Sequence, residues 1–268
     1  MMAKTDKKGF FYGYVIVIAC FFMMVVWWGS FHSFSVFFDS LLNEFNWGRG
    51  ITAGAFSLMS FLLGLYSIPI ARLCNKFAPR IVIAFCGFLC GLGYVLMSQI
   101  TTVWQIYILY AILIAIGMGA YISILPIVAR WFVKRRGLMT GIVFSGMGIG
   151  MIVVSPLISR LISFYDWRIT YIIMGIITMA VLTIGAQFLR RDPYQSGKVP
   201  YGTDSTDIAV ENARTTGISY KKALQSGQFW QLGSLYFIYL VGHNAATVHI
   251  VVYAIGLGMT PLQAASLL

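Results

Sequence analysis

The chain has 268 residues, of which 59% are hydrophobic and only 10% charged, with a mean hydropathy of +0.82. A soluble domain carries roughly 25% charged residues, so a water-soluble fold is excluded and the chain reads as an integral membrane protein. The formal net charge of +11 does not point to nucleic acid, because the cations lie in short gaps between apolar runs rather than on one basic surface.

Lys4, Lys7 and Lys8 precede an apolar run from Phe10 to Phe38. That run is too long for the core of a signal peptide and lacks a small-residue cleavage site, so it predicts a retained first helix. About 20 mainly apolar residues cross the hydrocarbon core. Spans are predicted over residues 14–38, 51–70, 81–98, 105–129, 138–159, 169–189 and 229–254, with an eighth beginning near Pro261 and cut off at Leu268. Between the sixth and seventh spans lies a polar, turn-rich segment, 190–228, that reads as a flexible tether, with a short interfacial helix over 218–225.

The cations orient these spans. With the amino terminus inside, 16 of the 19 Lys and Arg residues fall in inside segments, and Arg49, Arg160 and Arg168 remain outside. The densest inside gap holds Arg130, Lys134, Arg135 and Arg136. Lys and Arg resist translocation, which predicts a multi-pass plasma-membrane protein with its amino terminus and linker cytoplasmic. All eight acids fall at helix ends or in loops. Cys20, Cys74, Cys86 and Cys90 form no CxxC pair and have no His at zinc-ligand spacing, so they read as small buried hydrophobes and no metal or cofactor is expected.

Six spans, a long inside connection and a further span have the layout of two six-helix halves. Five strings in order carry a family resemblance: FNWGRGITAGAFSL (45–58), ARWFVKRRGLMTG (129–141), GMGIGMIVVSP (146–156), DWRITYIIMGI (166–176) and QFWQL (228–232). With them the chain resembles the monocarboxylate and oxalate:formate branch of the major facilitator superfamily. The resemblance implies an all-α membrane protein. Residues 1–189 form its six-helix amino-terminal half, built of two inverted three-helix repeats; 190–228 form a cytoplasmic linker; 229–268 hold the seventh helix and a truncated eighth.

It also implies cytoplasmic gating loops: Arg72, Asn75, Lys76 and Arg80 between the second and third helices, and Arg130, Arg135 and Arg136 between the fourth and fifth. In the family the first of these loops carries an acid within a glycine-led string, where this chain has Ala71, Asn75, Lys76 and Ala78. Asn75 cannot supply that charge, so a weaker lock is expected. The alternative is that these cations only enforce topology.

By the same resemblance the first, fourth and seventh helices line a central substrate pathway. The candidates are Trp28 and His32 on the first, Tyr110 and Tyr121 on the fourth, and His243 and Asn244 on the seventh. Helical spacing places Tyr107, Tyr110, Ile114, Met118 and Tyr121 on one stripe. For the candidates on the first and fourth helices the competing reading is helix packing, and for His243 it is a neutral imidazole satisfied by Asn244 or a backbone carbonyl; Tyr107 and Trp104 read as interfacial belt residues. His32 and His243 are the visible intramembrane proton carriers. Gly87 and Gly91, Gly137 and Gly141, and Gly146, Gly148 and Gly150 predict close helix crossings.

The resemblance therefore implies a secondary transporter; a membrane enzyme ranks last, because the spans offer no acid, metal cluster or nucleophile–base pair at membrane depth. The transporter would move a small organic anion, monocarboxylate or oxalate/formate-like, by alternating access through the bilayer, with a proton or against a counter-anion. No cation lies deep enough to neutralise a carboxylate, and the resemblance places the substrate-binding cations in helices beyond Leu268. Two alternatives stay open. An aromatic cavity without cations suits efflux of a hydrophobic cation. A truncated copy would not transport, or would act only with a partner that supplies the missing helices.

Overall fold

The computed structural model describes residues 11–194, 199–202 and 220–257, with side-chain surroundings for all of these except residues 39, 220, 221 and 243–256. It divides into two compact units, Met1–Thr203 and Asp204–Leu268.

In the first unit six helices are long and apolar enough to cross a membrane: α1 (Tyr12–Phe45), α2 (Arg49–Lys76), α3 (Pro79–Met97), α4 (Val103–Trp131), α5 (Arg136–Phe164) and α6 (Trp167–Gln187). Each answers to a predicted span. α1, α2 and α5 run well past the predicted ends, because an established hydrogen-bond ladder continues through polar residues whereas hydropathy registers only the stretch inside hydrocarbon. Local chemistry sets several boundaries. Pro79 opens α3, where its missing N–H costs nothing. Thr102 and Gln105 form a capping box at the start of α4, with Gln105 Oε1 accepting from the Thr102 N–H at 3.0 Å. Asn46, at φ 51°, closes α1 in the left-handed region.

Two helices are irregular. α1 breaks its regular pattern at Ser33, whose hydroxyl donates to the Ser30 carbonyl at 2.7 Å, a back-bond of the kind that bends helices. α4 contains a π segment, Tyr107–Ile114, and a 3₁₀ segment, Gly119–Ser123. These change the residues per turn, so the expected stripe of three phenols does not form. Tyr110, Ile114 and Met118 are buried in the core, while Tyr107 and Tyr121 are only half-buried.

The most extensive pairings are α3 with α6 and α1 with α5, followed by α2 with α4. Mapping the first three helices onto the next three exchanges α1–α5 with α4–α2 and returns α3–α6 to itself. Two inverted three-helix repeats generate this pattern. Glycines permit the crossings: a Cβ on Gly150 of α5 would lie 2.3 Å from the Val25 carbonyl of α1, and one on Gly91 of α3 would lie 2.6 Å from the Gly175 carbonyl of α6. Gly87 and Gly146 also meet a neighbouring helix, as expected, but Gly137, Gly141 and Gly148 meet nothing within 4 Å. Small size alone does not reveal which face of α5 is occupied. Across α1 and α6, the Ser30 and Thr178 hydroxyls bond at 3.2 Å, which satisfies two buried polar groups.

The second unit has a short helix, Tyr220–Leu224, within the predicted interfacial stretch, and α7, Gly227–Gly256. Trp230 Nε1 donates to the Leu224 carbonyl at 2.9 Å and ties the two together. The predicted eighth helix lies outside the described residues.

Candidate functional site

On α1, Trp28, Phe31 and His32 fall within about one turn, and their rings meet: Trp28 lies 5.3 Å from Phe31 and 5.8 Å from His32, centroid to centroid. The 3₁₀ turn of α4 brings Tyr121 edge-on to Trp28 at 5.6 Å and 89°. Phe56 of α2 closes the cluster, 5.1 Å from Phe31 and 5.4 Å from Phe34. Trp28, His32 and Tyr121 thus share one aromatic patch. Tyr110 does not join them: it is 1% exposed and its ring lies 4.4 Å from that of Phe34, tilted by 32°. The Trp28 indole N–H and the Tyr110 hydroxyl are buried without a hydrogen-bond partner among the described residues. The side chains of His243 and Asn244 lie outside the described residues.

Beside this patch a groove of about 350 Å³ opens between α1 and α2, lined by His32, Phe34, Ser35, Phe38, Phe56 and Ser57 together with Ala53. The two serine hydroxyls donate to their own helix, Ser35 to the His32 carbonyl at 2.9 Å and Ser57 to the Ala53 carbonyl at 3.3 Å. They offer lone pairs, not protons, to anything in the groove. Among the described residues no Lys or Arg lines it. The repeat mapping that exchanges α1–α2 with α4–α5 leads to a second groove of about 530 Å³, between the end of α4 and the start of α5, lined by Pro126, Arg136, Thr140 and Phe144 among others. One groove therefore lies near each end of the bundle.

Tyr107 has a definite role: its hydroxyl donates to the Ile51 carbonyl at 2.8 Å and clamps α4 to the start of α2. Trp104 is 77% exposed, as a belt residue would be.

The loops singled out as gates converge at one end of the unit, and the segment after α6 stitches them together. Tyr12 at the start of α1 donates to the Phe188 carbonyl at 3.0 Å, and Trp131 at the end of α4 donates through Nε1 to the Arg190 carbonyl at 2.9 Å. Arg191 Nη1 donates to the Asn75 carbonyl at 2.7 Å. Asn75 thus takes part through its backbone, a contact that needs no side-chain charge. Lys76 lies over Phe77, and Arg136 Nε donates to the Phe132 carbonyl at 3.1 Å. Arg135 adopts φ 66° immediately before α5, while Arg72, Arg80 and Arg130 lie in or beside the same two loops.

Three features escaped the sequence reading. Residues 199–202 do not behave as free tether: Tyr201 pairs with Phe132, accepts from the Val133 and Lys134 N–H groups at 3.1 and 3.2 Å, and sits against Phe11, Tyr14 and Phe132. An aromatic flanked by Pro200 and Gly202 in a polar segment was the available signal. At the opposite end, Glu44 accepts from Arg168 at 2.7 Å and from Trp167 Nε1, while Arg168 also reaches the Ser98 carbonyl at 2.8 Å and caps α3. Lastly, Tyr94 and Tyr171, neither singled out from the sequence, bury hydroxyls that lack partners among the described residues.

A family model described as Major Facilitator Superfamily matches residues 11–268. Among curated proteins, the chain is 32% identical to monocarboxylate transporter 9 of Rattus norvegicus over 203 residues, covering 75% of this chain and 39% of that protein. It is 30% identical to monocarboxylate transporter 9 of Gallus gallus over 177 residues, 65% of this chain and 35% of that protein. Monocarboxylate transporter 13 of Rattus norvegicus is 26% identical over 270 residues, 100% of this chain and 60% of that protein. The chain spans about two fifths of the length of the transporter 9 proteins it matches.

Proposed function

The chain belongs to the major facilitator superfamily, and from that premise we propose that it serves secondary transport of small organic anions, of the monocarboxylate or oxalate and formate class, by alternating access. The observation that carries this reading is the family match over residues 11–268 combined with similarity to several monocarboxylate transporters. Family membership, rather than any absence, sets the enzyme reading aside.

The cation-rich end, where α2, α4 and α6 terminate, faces the cytoplasm of the plasma membrane, and the Glu44–Arg168 end faces outward. Retention of Lys and Arg on the inside supports this orientation, as does the stitching of both cationic loops to the segment after α6. Within the first unit, substrate passes the Trp28–His32–Tyr121 patch between the two grooves. A carboxylate in a low-dielectric groove without a lining cation needs a counter-charge or a proton. His32 and His243 are the candidate carriers of that proton, and substrate and proton move together in this scheme.

The test is uptake of labelled lactate, formate and oxalate into proteoliposomes containing the chain, with and without an inward proton gradient. Gradient-stimulated uptake that a protonophore abolishes supports the reading; no uptake of any carboxylate overturns it. The aromatic, cation-free wall of the α1–α2 groove favours one second reading, efflux of hydrophobic cations. Competition by tetraphenylphosphonium but not by carboxylates selects it.

A further inference from the structure

At the end where α2, α4 and α6 terminate, Lys76 as the last residue of α2, Arg80 in the first turn of α3, and Arg190 and Arg191 beyond α6 line a cavity of about 460 Å³. Like charges spread apart unless something holds them, and here two are held. Arg191 is fixed by its 2.7 Å bond to the Asn75 carbonyl, and Arg190 lies 4.7 Å over the Tyr12 ring. One carboxylate shares the wall: Asp192, which accepts from the Tyr194 N–H at 3.2 Å. Four cations against one carboxylate leave a positive excess, and among the described residues none of the four forms a salt bridge. Pro79, the first residue of α3, is also on the wall, which brings the positive end of a 19-residue helix to the same space. Retention of cations on the inside explains why they lie at this end. It does not explain why four of them converge on one cavity with two guanidinium groups anchored.

We propose that this cavity binds an anion carrying two phosphate groups, either the headgroup of a lipid such as cardiolipin or a soluble pyrophosphate. Guanidinium groups meet phosphate oxygens in a two-pronged fork, and Lys76 adds a compact point charge. Basic pockets between transmembrane helices at a cytoplasmic surface take lipid headgroups of this kind. The proposal depends on the orientation given above only for which leaflet supplies the lipid, and not on transport.

The purified full chain in neutral detergent is titrated with cardiolipin, with phosphatidylcholine and with inorganic pyrophosphate. Bound lipid per chain is counted by native mass spectrometry, and bound pyrophosphate by equilibrium dialysis. Saturable binding of one cardiolipin and no phosphatidylcholine is expected. Lys76→Gln with Arg80→Gln, two exposed positions whose side chains make no hydrogen bond among the described residues, weakens it about thirtyfold. A charge-matched pair outside the cavity, Arg130→Gln with Arg135→Gln, leaves it unchanged. Pyrophosphate binding with the same sensitivity assigns the site to phosphate from either source, and cardiolipin binding alone assigns it to lipid. Equal weakening by both variant pairs, or absence of saturable binding by both ligands, overturns the proposal. Uptake and sidedness assays are untouched by that outcome, so the two readings fail separately.

Discussion

Replacing Gly150 by Ala tests the packing that defines the bundle. The added Cβ would lie 2.3 Å from the Val25 carbonyl oxygen and 3.0 Å from the Gly29 nitrogen, both backbone atoms of α1. Carbon–oxygen contacts between packed helices settle at about 3.3 Å or more, so α1 must withdraw by about 1 Å along its crossing with α5. Overpacking of this kind costs about 1–3 kcal/mol. Gly148→Ala, two residues away on the same helix, meets nothing within 4 Å. Both variants gain about 1 kcal/mol of helix propensity, so they should differ by the overpacking term alone, about 2 kcal/mol. Denaturant titration of the purified chain in micelles, followed by helical circular dichroism, reads the difference. Gly148→Ala should unfold at or above the wild-type midpoint and Gly150→Ala below it. Coincident midpoints for the two variants would refute the crossing geometry.

Tyr107→Phe removes the hydroxyl bond to Ile51 and should cost about 1 kcal/mol in the same titration, yet leave carboxylate uptake unchanged. His32→Gln and His243→Ala should each lower proton-driven uptake by about an order of magnitude, and wild-type rates after either change would remove that residue from the pathway. Glu44→Gln breaks the ion pair with Arg168, whose side chains are 33% and 39% exposed. It should cost less than about 1 kcal/mol, with a smaller loss at high salt, and a salt-independent loss would point to the Trp167 bond instead. Gly202 holds φ +83°, and a Cβ added there would lie 2.5 Å from the Lys134 side chain. Gly202→Ala should therefore free the Tyr201 staple and speed tryptic cleavage of the linker, read by gel; unchanged cleavage would show that the staple does not protect it.

Much of the fold was legible because a membrane simplifies the code. An apolar run of sufficient length must be a helix, since lipid offers backbone groups no other partner, and Arg130 to Arg136 marked the end at which α4 stops. The capping residues Thr102 and Gln105 and the opening Pro79 are also short-range signals. Long-range geometry was not legible. Spacing rules assume a uniform helix, and the π and 3₁₀ turns of α4 sent Tyr107, Tyr110 and Tyr121 to three different environments. Gly146 and Gly150 could not be told from Gly148, because composition does not say where the neighbouring helix lies. The meeting of Trp28 with His32 follows from one-turn spacing, but its contact with Tyr121 depends on how α1 and α4 cross. Tyr201 was hidden in a polar stretch whose composition resembles a free linker.

Side-specific labelling of single introduced cysteines tests the orientation most directly. The four native cysteines are buried, so a membrane-impermeant maleimide should leave the unaltered chain unlabelled. Asn46→Cys should be labelled in intact cells, whereas Arg135→Cys and Asp192→Cys should be labelled only after the membrane is opened. Labelling of Arg135→Cys and Asp192→Cys from opposite faces, or of Asn46→Cys from the same face as Arg135→Cys, would contradict the arrangement.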